Sequence, residues 1–153
     1  MTVNTSAADY RRGEYFQELV SVNNSSTSVW QNVSVTTSGG GTNTGSVFVP
    51  TATETYGYDA DGKMTNDGRW SFTWDAENRL VSMQALSSVP SGAKKKLDFT
   101  YDYQGRRIQK IVSTWNGSAY VPASTNRFLD DGWNLIAELN GTNGLIRSYL
   151  WGL

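Results

Sequence analysis

From Thr53 onward the chain alternates apolar and polar positions with a period of two. Trp70, Phe72 and Trp74 alternate with Ser71 and Thr73, and Leu97, Phe99, Tyr101 and Tyr103 alternate with Asp98, Thr100 and Asp102. This is the pattern of strands with one apolar face. Ile108, Lys110 and Val112 alternate less one-sidedly with Gln109, Ile111 and Ser113. Asn116-Gly117, between Ile111–Trp115 and Ser118–Val121, predicts a two-residue type I′ hairpin, because that turn needs positive φ twice. Asp131-Gly132 separates Arg127–Leu129 from Trp133–Leu139, and the run from Asn140 to Gly144 separates that strand from Leu145–Trp151. The intervals leave room only for hairpin strands, so the predicted class is all-β, built of antiparallel β-hairpin repeats.

Upstream the pattern is less regular. Residues 7–19 are the most helix-compatible stretch, but Gly13 interrupts them and Tyr15-Phe16 leads toward Val20 and Val22, so a strand is the preferred reading. Residues 23–28 read as a turn and Val29–Val35 as a strand. Residues 36–46, with Gly39-Gly40-Gly41, predict a flexible loop. Val47-Phe48-Val49 before Pro50 reads as a short edge segment, since proline cannot donate to a ladder. The expected organisation is an N-terminal β segment, 1–52, with a Gly/Ser/Thr-rich loop at 36–46, followed by a hairpin region, 53–153.

Composition supports a β protein with many turns: 6 Trp, 8 Tyr and 15 Gly against 3 Pro. The formal net charge is -1, which argues against a nucleic-acid or anionic-membrane partner, because both require a basic surplus. Lys94-Lys95-Lys96 is the basic cluster, and its position after Pro90-Ser91-Gly92 predicts a solvated loop. The sequence has no Cys and no His. This removes the commonest metal ligands, the thiol nucleophile and the acid–base residue active near neutral pH. No catalytic residue, metal site or cofactor is therefore expected, and the chain reads as a non-enzyme. The pairs Asp59/Asp61 and Asp130/Asp131 fall in turns, where Asp serves local hydrogen bonding. Asp59 to Gly62 opens like a Ca²⁺ loop, but Trp70 stands where the bidentate Glu belongs. The polar start, Met1 to Thr5, carries no export signal, and no apolar run reaches the length of a membrane span.

One phrase recurs without gaps. It reads Tyr58-Asp59-Ala60-Asp61-Gly62-Lys63-Met64, then Trp74-Asp75-Ala76-Glu77-Asn78-Arg79-Leu80, then Tyr101-Asp102-Tyr103-Gln104-Gly105-Arg106-Arg107. Each Asp can accept a backbone N–H two residues on, and Gly62, Asn78 and Gly105 are residues that tolerate the left-handed conformation. The basic residue opens the return strand, and the aromatic is large enough to cover a neighbouring hairpin. Asp131-Gly132 continues the series, with Asp130 where an aromatic is expected. The starts lie 16 and 27 residues apart, from Tyr58 to Trp74 to Tyr101, so the period is irregular.

The phrase resembles the YD repeat of RHS and wall-associated bacterial proteins, also found in teneurins. Thr65-Asn66-Asp67-Gly68-Arg69-Trp70 and Gly132-Trp133-Asn134-Leu135-Ile136-Ala137-Glu138 are similar to the RHS form that leads into the repeat-associated core. The resemblance implies a strip of a larger curved or spiral sheet, the wall of a secreted or cell-surface bacterial shell that encloses or presents a C-terminal toxin or effector. It also implies pairing with neighbouring repeats of a longer parent. Open sheet edges add an expectation of self-assembly into oligomers or filaments. The alternative function is a glycan-binding surface, with Trp70, Phe72, Trp74, Tyr101 and Tyr103 as stacking residues.

Overall fold

The computed structural model describes residues 1–37 and 39–152. Its class is all-β, every strand pairing is antiparallel, and the chain forms two compact units, Met1–Glu54 and Thr55–Leu153.

In the first unit, β1 (Thr2–Val3), β2 (Ser6–Ala7), β5 (Val29–Thr36) and β6 (Thr42–Val49) form a sheet in the order β2-β1-β5-β6. A separate hairpin joins β3 (Tyr10–Arg12) to β4 (Tyr15–Gln17). Gly13, with φ of 61°, makes its turn, so the interruption that removed the helix from 7–19 is the hairpin's corner. The expected loop over 36–46 is corrected: β6 starts at Thr42 and pairs residue for residue with β5, from Thr36 opposite Thr42 to Val29 opposite Val49. Val47–Val49 is likewise the end of an eight-residue strand. Thr42 to Val47 are exposed, so this half-strand has no apolar face to announce it and is held by its backbone ladder.

In the second unit, nine strands follow one another in chain order through a single sheet: β7 (Gly57–Tyr58), β8 (Met64–Asn66), β9 (Trp70–Trp74), β10 (Leu80–Ala85), β11 (Lys95–Tyr101), β12 (Arg107–Trp115), β13 (Tyr120–Asp131), β14 (Asn134–Asn140) and β15 (Leu145–Ser148). Phe72, Met83, Leu97 and Val112 stand opposite one another in successive strands, forming a row on one face with Trp70 and Phe99 beside it. Among the described residues the buried apolar side chains are Val3, Ala85, Val89 and Ala93, and no large side chain is fully buried. Most of the large aromatics of the sheet are half-buried, while Tyr58 at its edge is exposed.

Bulges recur at one place in the hairpins. Tyr58 pairs with Met64 but Gly57 with Asn66, leaving Thr65 extra; Trp74 pairs with Leu80 but Thr73 with Ser82, leaving Val81 extra. Ile108, Ile136 and Ile146 are extra in the same way. Each bulge bends its strand and strengthens the local twist. The slip takes Ile108 out of the alternation, while Lys110 and Ile111 keep unbroken register opposite Phe99 and Asp98.

Two further expectations are corrected. The Asn116-Gly117 turn is a four-residue loop: Asn116 N–H donates to the Ala119 carbonyl at 3.0 Å, and Asn116 Oδ1 accepts from Ser118 N and Ala119 N. Only Gly117 of the pair has positive φ. The Asn side chain bonds the following N–H groups, which stabilises this wider turn over type I′. Of Lys94-Lys95-Lys96, Lys94 lies in the loop and the other two are strand. A 3-10 turn, Ser91–Ala93, ends before it and β11 begins at Lys95. Lys94 Nζ lies 5.2 Å from the Trp115 ring centre, and Lys96 Nζ pairs with Asp98 Oδ1 at 2.9 Å.

Candidate functional site

The feature that repeats with side-chain chemistry is the hairpin turn at one end of the nine-stranded sheet. In the second phrase, Asp75 N–H donates to the Arg79 carbonyl at 3.0 Å, and Asn78 N–H donates to the Asp75 carbonyl at 3.1 Å. Asp75 Oδ1 accepts from Glu77 N and Arg79 N at 2.9 and 3.0 Å. Asp75 Oδ2 accepts from Arg79 Nε at 2.8 Å. The third phrase repeats every bond: Asp102 Oδ1 accepts from Gln104 N and Arg106 N at 2.9 and 2.9 Å, and Asp102 Oδ2 from Arg106 Nε at 2.7 Å. The first phrase keeps the backbone part, but Lys63 Nζ goes to Asp61 Oδ2 at 3.0 Å and stays 4.0 Å from Asp59 Oδ2. A single ammonium lacks the guanidinium fork that satisfies carboxylate and backbone together.

These bonds set the charges. The backbone N–H of Arg79, more than its guanidinium, holds the Asp75 carboxyl below the ordinary range. At Asp102 burial pushes upward, and the side-chain and backbone bonds from Arg106 outweigh it, so the net direction is again down. Arg79 and Arg106 are raised, chiefly by hydrogen bonds to their own Asp.

The same residues tie one hairpin to the next. Arg79 Nη1 donates to the Asp102 carbonyl at 3.3 Å, and its guanidinium lies 5.3 Å from the Tyr101 ring centre. Arg106 Nη1 donates to the Gly132 carbonyl. Trp74 Nε1 donates to the Met64 carbonyl at 2.8 Å, and Tyr101 hydroxyl to the Leu80 carbonyl at 2.8 Å. Met64 and Leu80 hold the same place in their phrases, so the aromatic of each hairpin bonds the return strand of the one before. Trp151 Nε1 repeats the relation with the Leu135 carbonyl at 2.8 Å.

The residues singled out from sequence fall in two groups. Tyr58, Asp59, Gly62, Trp74, Asp75, Asn78, Tyr101, Asp102 and Gly105 build three alike turns. Asp131 pairs with Asn134 across a two-residue turn made by Gly132 and Trp133. Of the aromatics considered for sugar stacking, Trp70 and Phe72 share a sheet face, with the Arg69 guanidinium 5.0 Å from the Trp70 ring centre. Trp74 and Tyr101 spend their polar tips on backbone carbonyls, and Tyr103 stands in the 102–106 turn, 90% exposed.

Sequence reasoning missed a fourth copy of the turn. Asn140 Oδ1 accepts from Thr142 N and Gly144 N at 3.0 and 2.8 Å, Asn140 N–H donates to the Gly144 carbonyl, and Asn143 has φ of 67°. Leu139 to Leu145 aligns with the phrase once Leu is allowed for the aromatic, Asn for Asp and Gly for the cation, which is the signal that could have found it. The inter-hairpin role of the cations was also missed.

No family model matches the chain. Over 100 residues, 65% of the chain, it is 36% identical to the protein named tRNA nuclease WapA of Bacillus subtilis strain 168. It is equally similar to the tRNA(Glu)-specific nuclease WapA of Bacillus subtilis subsp. natto and to the tRNA3(Ser)-specific nuclease WapA of Bacillus spizizenii. The chain spans about 4% of the length of these relatives. These findings correct two expectations. The assignment to the YD/RHS repeat family gives way to similarity with proteins named as tRNA nucleases. The reading of the chain as a non-enzyme, drawn from its lack of His and Cys, is overturned by the same names. Asp, Glu, Lys and Tyr also serve as acids and bases, so a lack of His and Cys does not exclude enzymatic activity.

Proposed function

We propose that this chain is a β-hairpin strip within a large tRNA-cleaving nuclease, and that its role there is to form sheet that carries the nuclease portion. The observation that supports this most directly is the repeated turn, with its Asp–Arg staple and its aromatic bonded to the preceding hairpin. Such units extend a sheet one hairpin at a time, and stability accrues through nearest-neighbour contacts. The outer edges of β7 and β15 have no partner among the described strands, which leaves N–H and C=O groups ready to pair with further strands.

Two measurements on the purified chain test the reading. Light scattering is expected to give a mass that rises with concentration above the 16.9 kDa of one chain, as edges pair. A concentration-independent monomer removes the edge-pairing part. Bulk tRNA is also incubated with the chain and resolved on a denaturing gel. Cleavage abolished by no contaminant control places the activity in these strands and overturns the carrier role.

A further inference from the structure

The net charge of -1 conceals a segregation within the second unit. The carboxylates of Asp59, Asp75 and Asp102 lie in the turns and are bonded there. Asp98 lies on the face that carries Ser82 and Ile111, and pairs with Lys96. On the opposite, aromatic face stand Lys95, Arg107, Lys110 and Arg147, and the acids among them are Glu138 and Asp130, two residues beyond Phe128 on β13. Lys110 is opposite Phe99 and Asn126, and Glu138 is opposite Phe128 and Arg147. Glu138 Oε1 accepts from Asn126 Nδ2 at 2.7 Å. Among the described residues none of the four cations has an acidic partner.

Arg107 is the centre of this patch. It stands on β12 with its guanidinium carbon 5.5 Å from the Phe99 ring centre on β11 and 5.1 Å from Phe128 on β13. The rings hold the guanidinium in place and leave its N–H donors without a hydrogen-bond partner among the described residues. With neighbouring strands about 4.8 Å apart, the patch from β11 to β15 is roughly 19 Å wide. A ligand that answers it must bring flat rings and regularly spaced anions together. An acidic peptide supplies rings only where its sequence carries aromatics, whereas single-stranded nucleic acid supplies a ring and an anion at every nucleotide, its bases stacking on aromatic side chains and its phosphates meeting cations. We propose that the aromatic face of the second unit binds single-stranded nucleic acid, with Arg107 and Lys110 as phosphate contacts. The proposal stands on this face alone and is independent of edge pairing.

The test is fluorescence anisotropy of a labelled oligouridine of about ten nucleotides, titrated with the full chain at two salt concentrations. Saturable binding that weakens with salt is expected, with the salt slope falling by about 0.7 for each phosphate contact removed. The double variant Arg107→Ala/Lys110→Ala is expected to weaken binding about tenfold or more. Arg127→Ala, on the opposite face beside Asn143, is expected to leave it unchanged. Lys95→Ala/Arg147→Ala provides a second weakened variant should the first misfold by circular dichroism. Three results overturn the proposal: no binding at low salt, binding indifferent to both double variants, or tighter binding of polyglutamate than of the oligonucleotide. The last assigns the face to an acidic protein.

Discussion

At the fifth position of each hairpin phrase the backbone turns left-handed, and Gly62, Asn78, Gly105 and Asn143 stand there with φ of 80, 63, 81 and 67°. A Cβ built on Gly105 meets no atom within 4 Å, so only the backbone conformation opposes a side chain. Gly105→Ala is therefore expected to lower unfolding stability by about 1–2 kcal/mol, read from the urea midpoint, while Asn78→Gly leaves it nearly unchanged. Equal effects from the two sink the assignment of this position to conformation alone. The position is legible in sequence because Asp, Asn and Gly act on their own backbone within four residues. The partners of Arg79 are not, since Asp102 and Tyr101 lie more than twenty residues on and reach it only through the pairing of β10 with β11.

The hairpin as an element joins a carboxylate, two N–H groups and a guanidinium in one loop, and this makes it sensitive to acid. Asp75 and Asp102 are held below their ordinary value of 3.8. A lowered carboxylate contributes stability that is fully present above the unfolded value and is lost as pH falls through the folded one. Urea midpoints measured by Trp fluorescence are thus expected to hold from neutral pH down to about pH 5 and to fall below pH 4, with a shallower fall in Asp102→Asn. An acid transition identical in the variant removes Asp102 from the explanation. Strands with a one-sided apolar pattern, such as Trp70–Trp74, are readable at this scale. β6 is not, because its exposed Thr and Ser carry no pattern, and the bulges are not, because a slipped residue looks the same as a paired one until its partner strand is placed.

Over the whole second unit the sheet is one layer, so its continuity depends on each hairpin holding the next. Trp74, Tyr101 and Trp151 each donate to the backbone of the hairpin before. Asp130 occupies the equivalent place, since it pairs with Leu135 as Trp74 pairs with Leu80. It has no side-chain donor to offer the Arg107 carbonyl, and its charge faces Arg106. In an array stabilised by nearest neighbours, the junction lacking a bond is where opening begins. The β12–β13 junction is therefore the seam of the strip, held by its ladder, by Arg107 over Phe128, by Trp115 against Tyr120 and by the bond from Arg106 to the Gly132 carbonyl. Asp130→Tyr places a hydroxyl where Tyr101 has one. It is expected to raise stability by about 1 kcal/mol and to slow amide exchange in β13 and β14 more than in β9 and β10. Faster exchange in β13, or a gain spread evenly over all strands, means that the aromatic tip does not join the hairpins and that the seam lies elsewhere.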